Sequence, residues 1–164
     1  MADDRRDRAV TLIEMLVVLG VIAVLASLVV VLTLRMDTQS KERALNSTFS
    51  LVNASLREYY EFRDGFPVQS VQDPNFAVSH IEGMMKELHS VPDSRHVFEQ
   101  VNQKLIENKT GVAGVTELKD PWGTVLDYVY DPDQGDRFPE LISAGPDKRF
   151  GTEDDIRSKS RQKK

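Results

Sequence analysis

The sequence contains no cysteine. A disulfide framework and a thiolate metal site are therefore both excluded. If the chain is exported to an oxidising compartment, its loops must be held by packing or by a metal bound through oxygen atoms. The formal net charge of −5 also argues against nucleic acid as a partner, because a nucleic-acid-binding protein usually presents a basic surface.

The sequence also lacks the motifs of the common enzyme classes. It contains no nucleophile-elbow pattern, no P-loop, no Rossmann glycine pattern and no HExxH zinc motif. Its histidines, His80, His89 and His96, form no i, i+4 pair, so we expect them to be structural or exposed. We therefore predict that the protein is not an enzyme.

No proline occurs before Pro67, and no charged residue occurs between Met15 and Leu34. The charge-free run of 20 residues would form a helix about 30 Å long, which matches the hydrocarbon core of a bilayer. It is longer than the apolar core of a secretory signal, and no convincing cleavage site follows it. The run therefore predicts a retained transmembrane helix.

The helix is predicted to continue past the membrane, over residues 11–62. Apolar residues recur in its second half at spacings of four and three, the pattern of one buried stripe: Leu45, Phe49, Val52, Leu56 and Tyr59. Shorter helices are predicted over 76–89 and 93–109, the latter with Asp93 or Ser94 as N-cap, and strands around 125–130 and 140–143. Together these elements predict an α+β fold, in which the amphipathic half of the long helix packs on a small antiparallel sheet.

The N-terminal sequence AVTLIE, residues 9–14, is followed directly by the apolar run. This combination resembles the prepilin processing motif of type IV pilins and of the pseudopilins of type II secretion. In that family a prepilin peptidase cuts after a small residue, and the new N-terminus is methylated. The resemblance implies cleavage between Ala9 and Val10, methylation of Val10, and a type IV pilin-like fold.

Glu14 is the carboxylate at the front edge of the apolar run. A carboxylate without a partner in a bilayer costs about 2–3 kcal/mol, so Glu14 either reaches the interface or is neutralised. After cleavage, the α-amino group of Val10 in a neighbouring subunit would neutralise Glu14 and fix the axial stagger between subunits. We interpret Glu14 as the residue that sets the register of assembly.

The segment from Asp120 to Ile156 is strongly acidic, with ten acidic residues against three basic ones. Such a segment is either a solvated turn or is gathered around a hard cation such as calcium, which takes oxygen ligands. Its last part, GPDKRFGTEDDI, resembles the calcium loop of the major pseudopilins, and DPWG is also a pseudopilin feature. The resemblance favours calcium, held by Asp147, Asp154 and Asp155, with Glu153 as a substitute and backbone carbonyls near Ser143 and Phe150 completing the shell.

These features divide the chain into four predicted parts. They are a leader peptide over 1–9, a transmembrane and assembly helix over 10–34, a head over 35–156 and a basic disordered tail over 157–164. The resemblance implies a single-pass protein of the inner membrane with its head in the periplasm.

The resemblance also implies a function, that of a pseudopilin in a helical type II secretion filament that drives protein export across the outer membrane. The implied partners are further copies of the chain, minor pseudopilins, the prepilin peptidase and the inner-membrane assembly platform. Two alternatives stay open. One is a type IV pilin or minor pilin, and the other is an uncleaved membrane anchor that carries a calcium-dependent binding domain.

Overall fold

The structure is a computed structural model that describes residues 12–69, 71–108, 111 and 116–159. The chain divides into two compact units, Met1–Ser40 and Lys41–Lys164. The predicted leader, residues 1–9, lies outside the described residues.

Helix α1 spans Leu12–Arg63, a length of 52 residues. It agrees with the predicted helix to within one residue at each end, because nothing in this part of the sequence interrupts it. Its stretch Leu12–Val30 is long and apolar enough to cross a membrane, and none of that stretch is buried. The helix ends where Asp64 takes a left-handed backbone conformation, with φ 56°.

The predicted apolar stripe on the second half of α1 is confirmed. Its five members are at most 7% exposed, and they belong to one hydrophobic cluster with residues of the later helices and strands. The stripe is Leu45, Phe49, Val52, Leu56 and Tyr59. Burial of such side chains is the main source of stability in a unit of this size, at about 1.5–3 kcal/mol for each large apolar side chain.

Two further helices follow α1. Helix α2, Ala77–Ser90, comes directly after a 3-10 helix at Pro74–Phe76 and agrees with the predicted helix over 76–89. It buries one face, made of Ile81, Met84, Met85 and Leu88 among others, in the same core. Helix α3 spans only Pro92–Phe98.

The predicted helix over 93–109 was wrong beyond Phe98. The chain turns there, and Asn102 caps a 3-10 helix at Gln103–Leu105, its side-chain oxygen accepting the N–H of Lys104 at 3.1 Å. Such a local side-chain bond offers the backbone an alternative to helical hydrogen bonding. The expected N-caps Asp93 and Ser94 were also wrong, because the helix begins at Pro92, whose fixed φ suits a first helical position.

The strands form two small antiparallel sheets. The first pairs β1, Ile106–Glu107, with β2, Glu117–Leu118. The second has the order β3-β4-β5, with β3 at Asp127–Val129, β4 at Glu140–Ser143 and β5 at Ile156–Arg157. Strand β4 lies where it was predicted, and β3 lies within the range predicted for the first strand.

The tail that was predicted to be disordered from residue 157 is instead ordered at its start. Arg157 belongs to β5, and its guanidinium donates to the Glu140 carboxylate at 2.8 Å. The backbone N–H of Ser158 donates to the carbonyl of Leu141 at 2.8 Å. Backbone pairing with β4 therefore orders the start of this segment, although its composition is polar.

Strand β3 forms one edge of its sheet. Two backbone carbonyls along this edge, those of Tyr128 and Tyr130, accept side-chain amide N–H groups from Gln69 at 2.6 Å and Gln72 at 3.0 Å. Glutamine amides therefore take the place of a neighbouring strand.

Candidate functional site

The predicted processing residues Ala9 and Val10 lie outside the described residues. Glu14 lies in the first turn of α1 and is exposed. Its position near a helix N-terminus is favourable for a carboxylate, because the backbone N–H groups of the first turn carry a partial positive charge.

The acidic loop, which is the segment GPDKRFGTEDDI at residues 145–156, follows shortly after β4. Gly145 has φ 64°, and a Cβ atom at that position would lie 3.0 Å from the carbonyl carbon of Asp154 and closer still to its oxygen. Only glycine fits such a contact in this backbone conformation. The two ends of the loop are therefore in contact, as the spacing of its acidic residues had suggested.

The four predicted ligands are arranged unequally around this closed loop. Asp147 accepts the N–H of Arg149 at 2.9 Å, and Asp155 accepts the N–H of Gly151 at 2.9 Å. The second carboxylate oxygen of Asp155 is buried and has no hydrogen-bond partner. Glu153 and Asp154 are exposed.

No three acidic or histidine side chains in the described part of the chain are close enough together to hold a metal ion. The closed loop nevertheless presents oxygen atoms of the kind that calcium prefers. The unpartnered Oδ1 atom of Asp155 is enclosed by the protein, and a buried carboxylate oxygen without a partner is costly. Calcium takes six to eight oxygen ligands, so a calcium site in this loop would need several backbone carbonyls beside the carboxylates.

Asp120 connects the DPWG turn to the start of the acidic loop. Its carboxylate is 1% exposed and accepts the backbone N–H groups of Trp122 at 3.0 Å and Thr124 at 2.8 Å. The other carboxylate oxygen accepts the hydroxyl of Ser143 at 2.7 Å, and the Ser143 oxygen in turn accepts the N–H of Gly145 at 3.1 Å. This chain of hydrogen bonds positions the residue at which the loop closes.

Sequence reasoning missed the roles of Asp120 and Ser143. An aspartate directly before Pro-Trp-Gly was a usable signal, because Asp side chains commonly accept backbone N–H groups two residues further on in turns. The bond to Ser143 joins residues 23 apart in sequence, and no local pattern predicts it. Trp122 is half-buried and packs against the core, in agreement with its prediction as a packing residue.

His80 and Asp127 form a buried pair between α2 and β3. The Nδ1 atom of His80 lies 2.7 Å from the Asp127 carboxylate, and the two residues are 6% and 1% exposed. Burial raises the pKa of the Asp127 carboxyl above its ordinary value, although the hydrogen bond and the charge of His80 oppose that shift. His80 was expected to be structural or exposed, and the structure assigns it the buried role.

Comparisons with known proteins bear on the N-terminal part of the chain. Residues 4–30 match the family model for the prokaryotic N-terminal methylation motif. Neither the curated proteins nor the solved structures give a significant match. The chain therefore carries a type IV pilin-like N-terminus, and proteins with this motif are structural subunits that a prepilin peptidase processes for pilus-like assembly.

Proposed function

We propose that the chain is a pseudopilin, a structural subunit of a helical filament in a type II secretion system. One observation supports this most strongly, namely that the methylation motif at residues 4–30 includes the first part of the 52-residue helix α1, which continues beyond the motif to Arg63. The first part of α1 is apolar and exposed, and its second part carries the core stripe of an α+β unit. A subunit that is stored in a membrane and assembled through its N-terminal helix is expected to have one apolar, exposed part of that helix and one part that packs in the core.

In this proposal the subunit is held in the inner membrane by Leu12–Val30, with its C-terminal part in the periplasm. Cleavage after Ala9 exposes the α-amino group of Val10, which is then methylated. The subunit is extracted into a filament together with minor pseudopilins on an assembly platform, and growth of the filament moves proteins across the outer membrane.

Glu14 gives the assembly its register in this proposal. Opposite charges attract much more strongly in apolar surroundings than in water, so a carboxylate among packed apolar helices is stabilised by one nearby amine. The α-amino group of Val10 in a neighbouring subunit is such an amine. A subunit docked one helical turn out of place would leave both charges unmatched.

Calcium in the acidic loop is the second part of the proposal. Asp147, Asp154 and Asp155 would supply carboxylate oxygens, and Glu153 would substitute for one of them. The ion would neutralise carboxylates that otherwise repel one another at the closed ends of the loop. The support is the oxygen-only donor set and the unpartnered oxygen of Asp155.

We expect mature protein purified from its native membrane to begin at Val10 and to carry one N-terminal methyl group. Mass spectrometry of the N-terminal peptide measures both. As a control, Ala9→Leu places a large residue before the cut and should leave the leader attached. An intact Met1 in the parent protein would contradict the filament proposal and favour the uncleaved anchor.

The secretion role is tested separately from processing. Deletion of the gene should stop export of secreted proteins and leave surface twitching motility intact. Loss of twitching with normal secretion would contradict the pseudopilin proposal and favour a type IV pilin.

Removal of calcium is expected to lower the melting temperature by about 5 °C or more, because an ion that binds only the folded state stabilises it. Calorimetry with and without a calcium chelator measures the shift. Asp154→Ala should abolish the difference between the two conditions, whereas Asp133→Ala, in the neighbouring acidic turn, should retain it. A parent protein whose melting temperature is insensitive to the chelator would contradict calcium binding.

A further inference from the structure

The turn that ends helix α1 contains the one aspartate in the sequence that is followed by glycine, at Asp64 and Gly65, and no asparagine precedes a glycine. Asp64 is exposed and takes the left-handed backbone conformation, with φ 56°. That conformation is uncommon for residues other than glycine, although aspartate tolerates it better than most. The pair therefore lies at the surface, between the end of the helix and the segment that follows.

Two chemical groups of this pair are free to react with each other. The Asp64 carboxylate and the Gly65 N–H make no hydrogen bond or ion pair with any residue in the described part of the chain. The N–H of Asp64 itself donates to the carbonyl of Tyr60 at 2.8 Å and holds the turn against the helix. A bond between the Cγ atom of Asp64 and the nitrogen of Gly65 would close a five-membered ring.

Three other exposed aspartates differ from Asp64 in this respect. The N–H after Asp133 donates to a side-chain oxygen at 3.2 Å, and the N–H groups after Asp147 and Asp154 donate to backbone carbonyls at 3.3 and 3.4 Å. A nitrogen engaged in this way would first have to break its hydrogen bond before it could attack the carboxyl group. These three aspartates therefore serve as internal controls within the same molecule.

We propose that Asp64 and Gly65 form a site of spontaneous covalent modification, at which aspartate rearranges to isoaspartate through a succinimide ring. The Gly65 nitrogen attacks the Cγ atom of the protonated Asp64 carboxyl group. A bond forms between nitrogen and Cγ, the nitrogen loses its proton, and the carboxyl group loses its hydroxyl, so that one water molecule leaves. Glycine favours the attack because it has no Cβ atom beside the nitrogen and its backbone is less restricted than that of other residues.

Water then opens the ring in one of two ways. Cleavage of the new bond between nitrogen and Cγ restores aspartate. Cleavage of the original bond, between nitrogen and the main-chain carbonyl carbon of Asp64, leaves the chain joined through Cγ, which is isoaspartate. The water that opens the ring replaces the one that was lost, so no other co-reactant is needed. The reaction is intramolecular, which removes the entropic cost of bringing two reactants together.

Isoaspartate lengthens the main chain by one carbon atom, and that atom would be inserted shortly before Phe66. Phe66 is 8% exposed, and its ring centroid lies 4.7 Å from that of Tyr60 and 4.9 Å from that of Phe138. The next residue, Pro67, accepts the hydroxyl of Tyr128 at 2.8 Å. Because these contacts leave little room for a longer chain, the modification should lower the melting temperature. This inference does not depend on the pseudopilin proposal.

The test incubates the full chain in phospholipid nanodiscs for several weeks at neutral pH and physiological temperature. Mass spectrometry with electron-transfer fragmentation measures isoaspartate at each aspartate, because breakage of its additional main-chain bond gives fragments that aspartate does not give. The converted share at Asp64 should exceed that at Asp133, Asp147 or Asp154 by at least about tenfold. The succinimide should appear as the loss of one water molecule from the peptide that contains Asp64.

Two variants separate this chemistry from a change in folding. Gly65→Ala fits the turn, since a Cβ atom there would meet nothing within 4 Å and the φ of Gly65 lies outside the positive range. It should slow the conversion by at least about tenfold. Asp64→Asn forms the same ring with loss of ammonia and should convert faster than the parent, because its amide is uncharged whereas the carboxylate must first take up a proton.

Three results would overturn the inference. They are conversion at Asp64 no greater than at the three internal controls, undiminished conversion in Gly65→Ala, and an Asp64→Asn protein that forms no isoaspartate. The melting temperature of the incubated parent should fall as its share of isoaspartate rises. A melting temperature that stays constant during conversion would contradict the predicted effect on the packing of Phe66.

Discussion

Replacement of Asp120 by alanine is expected to lower the free energy of unfolding by about 3 kcal/mol. The Asp120 carboxylate accepts three hydrogen bonds in a buried position, from Trp122, Thr124 and Ser143. Alanine accepts none, so two backbone N–H groups and one hydroxyl lose their acceptor. Urea denaturation followed by circular dichroism measures the change.

Two matched variants test whether the lost hydrogen bonds cause the decrease in the free energy of unfolding. Asp120→Asn keeps an oxygen for the two backbone N–H groups and should cost roughly half as much. Asp133→Ala removes a carboxylate from an exposed turn and should change the free energy by less than about 0.5 kcal/mol. An Asp120→Ala protein as stable as the parent would show that the turn finds other acceptors.

Glu14→Leu is expected to reduce filament assembly by at least about tenfold, provided that the proposed pairing with Val10 is correct. The variant leaves the amine of each neighbouring subunit without its carboxylate in apolar surroundings. Pelleting of sheared filaments measures assembly. The amount of protein in the membrane and its N-terminal methylation are measured in parallel, because a defect in processing would also reduce assembly.

The matched control for this experiment is Glu42→Leu. Glu42 is also an exposed glutamate on α1, but it lies beyond the apolar stretch. It should assemble like the parent. If Glu14→Leu subunits assemble normally with an unchanged stagger, the register role of Glu14 is excluded.

The long helix and its stripe could be predicted from sequence because their signal is local and repeated. The spacing from Leu45 to Tyr59 reports directly on which face is buried. Strand β4 was found because a short apolar pair, Leu141 and Ile142, lies between the turn residues Pro139 and Gly145. Strands β1, β2 and β5 have two residues each, which is too short for any periodicity to be visible.

The predicted helix over 93–109 failed because its apolar spacing continued where its hydrogen bonding did not. Val101 packs in the core, as a helical pattern would require. Asn102 nevertheless uses its side chain to start a different turn. The burial was therefore predictable, and the backbone path was not.

The acidic loop was only partly predictable. The acids at both ends suggested that the loop folds back, and the contact of Gly145 with Asp154 agrees with this. The hydrogen bond between Asp120 and Ser143 was not predictable, because it joins two segments that meet only in the folded chain. The buried pair of His80 and Asp127 was invisible for the same reason, since the two residues are 47 apart in sequence.

The glutamine amides along β3 bear on aggregation. An exposed strand edge invites another chain to extend the sheet, and folded proteins need some means of blocking such pairing. Here an incoming strand would first have to displace Gln69 and Gln72 from the carbonyls of Tyr128 and Tyr130. Crowded copies of this chain are thereby protected from amyloid-like stacking at that edge, and Gln69→Ala with Gln72→Ala would remove the protection.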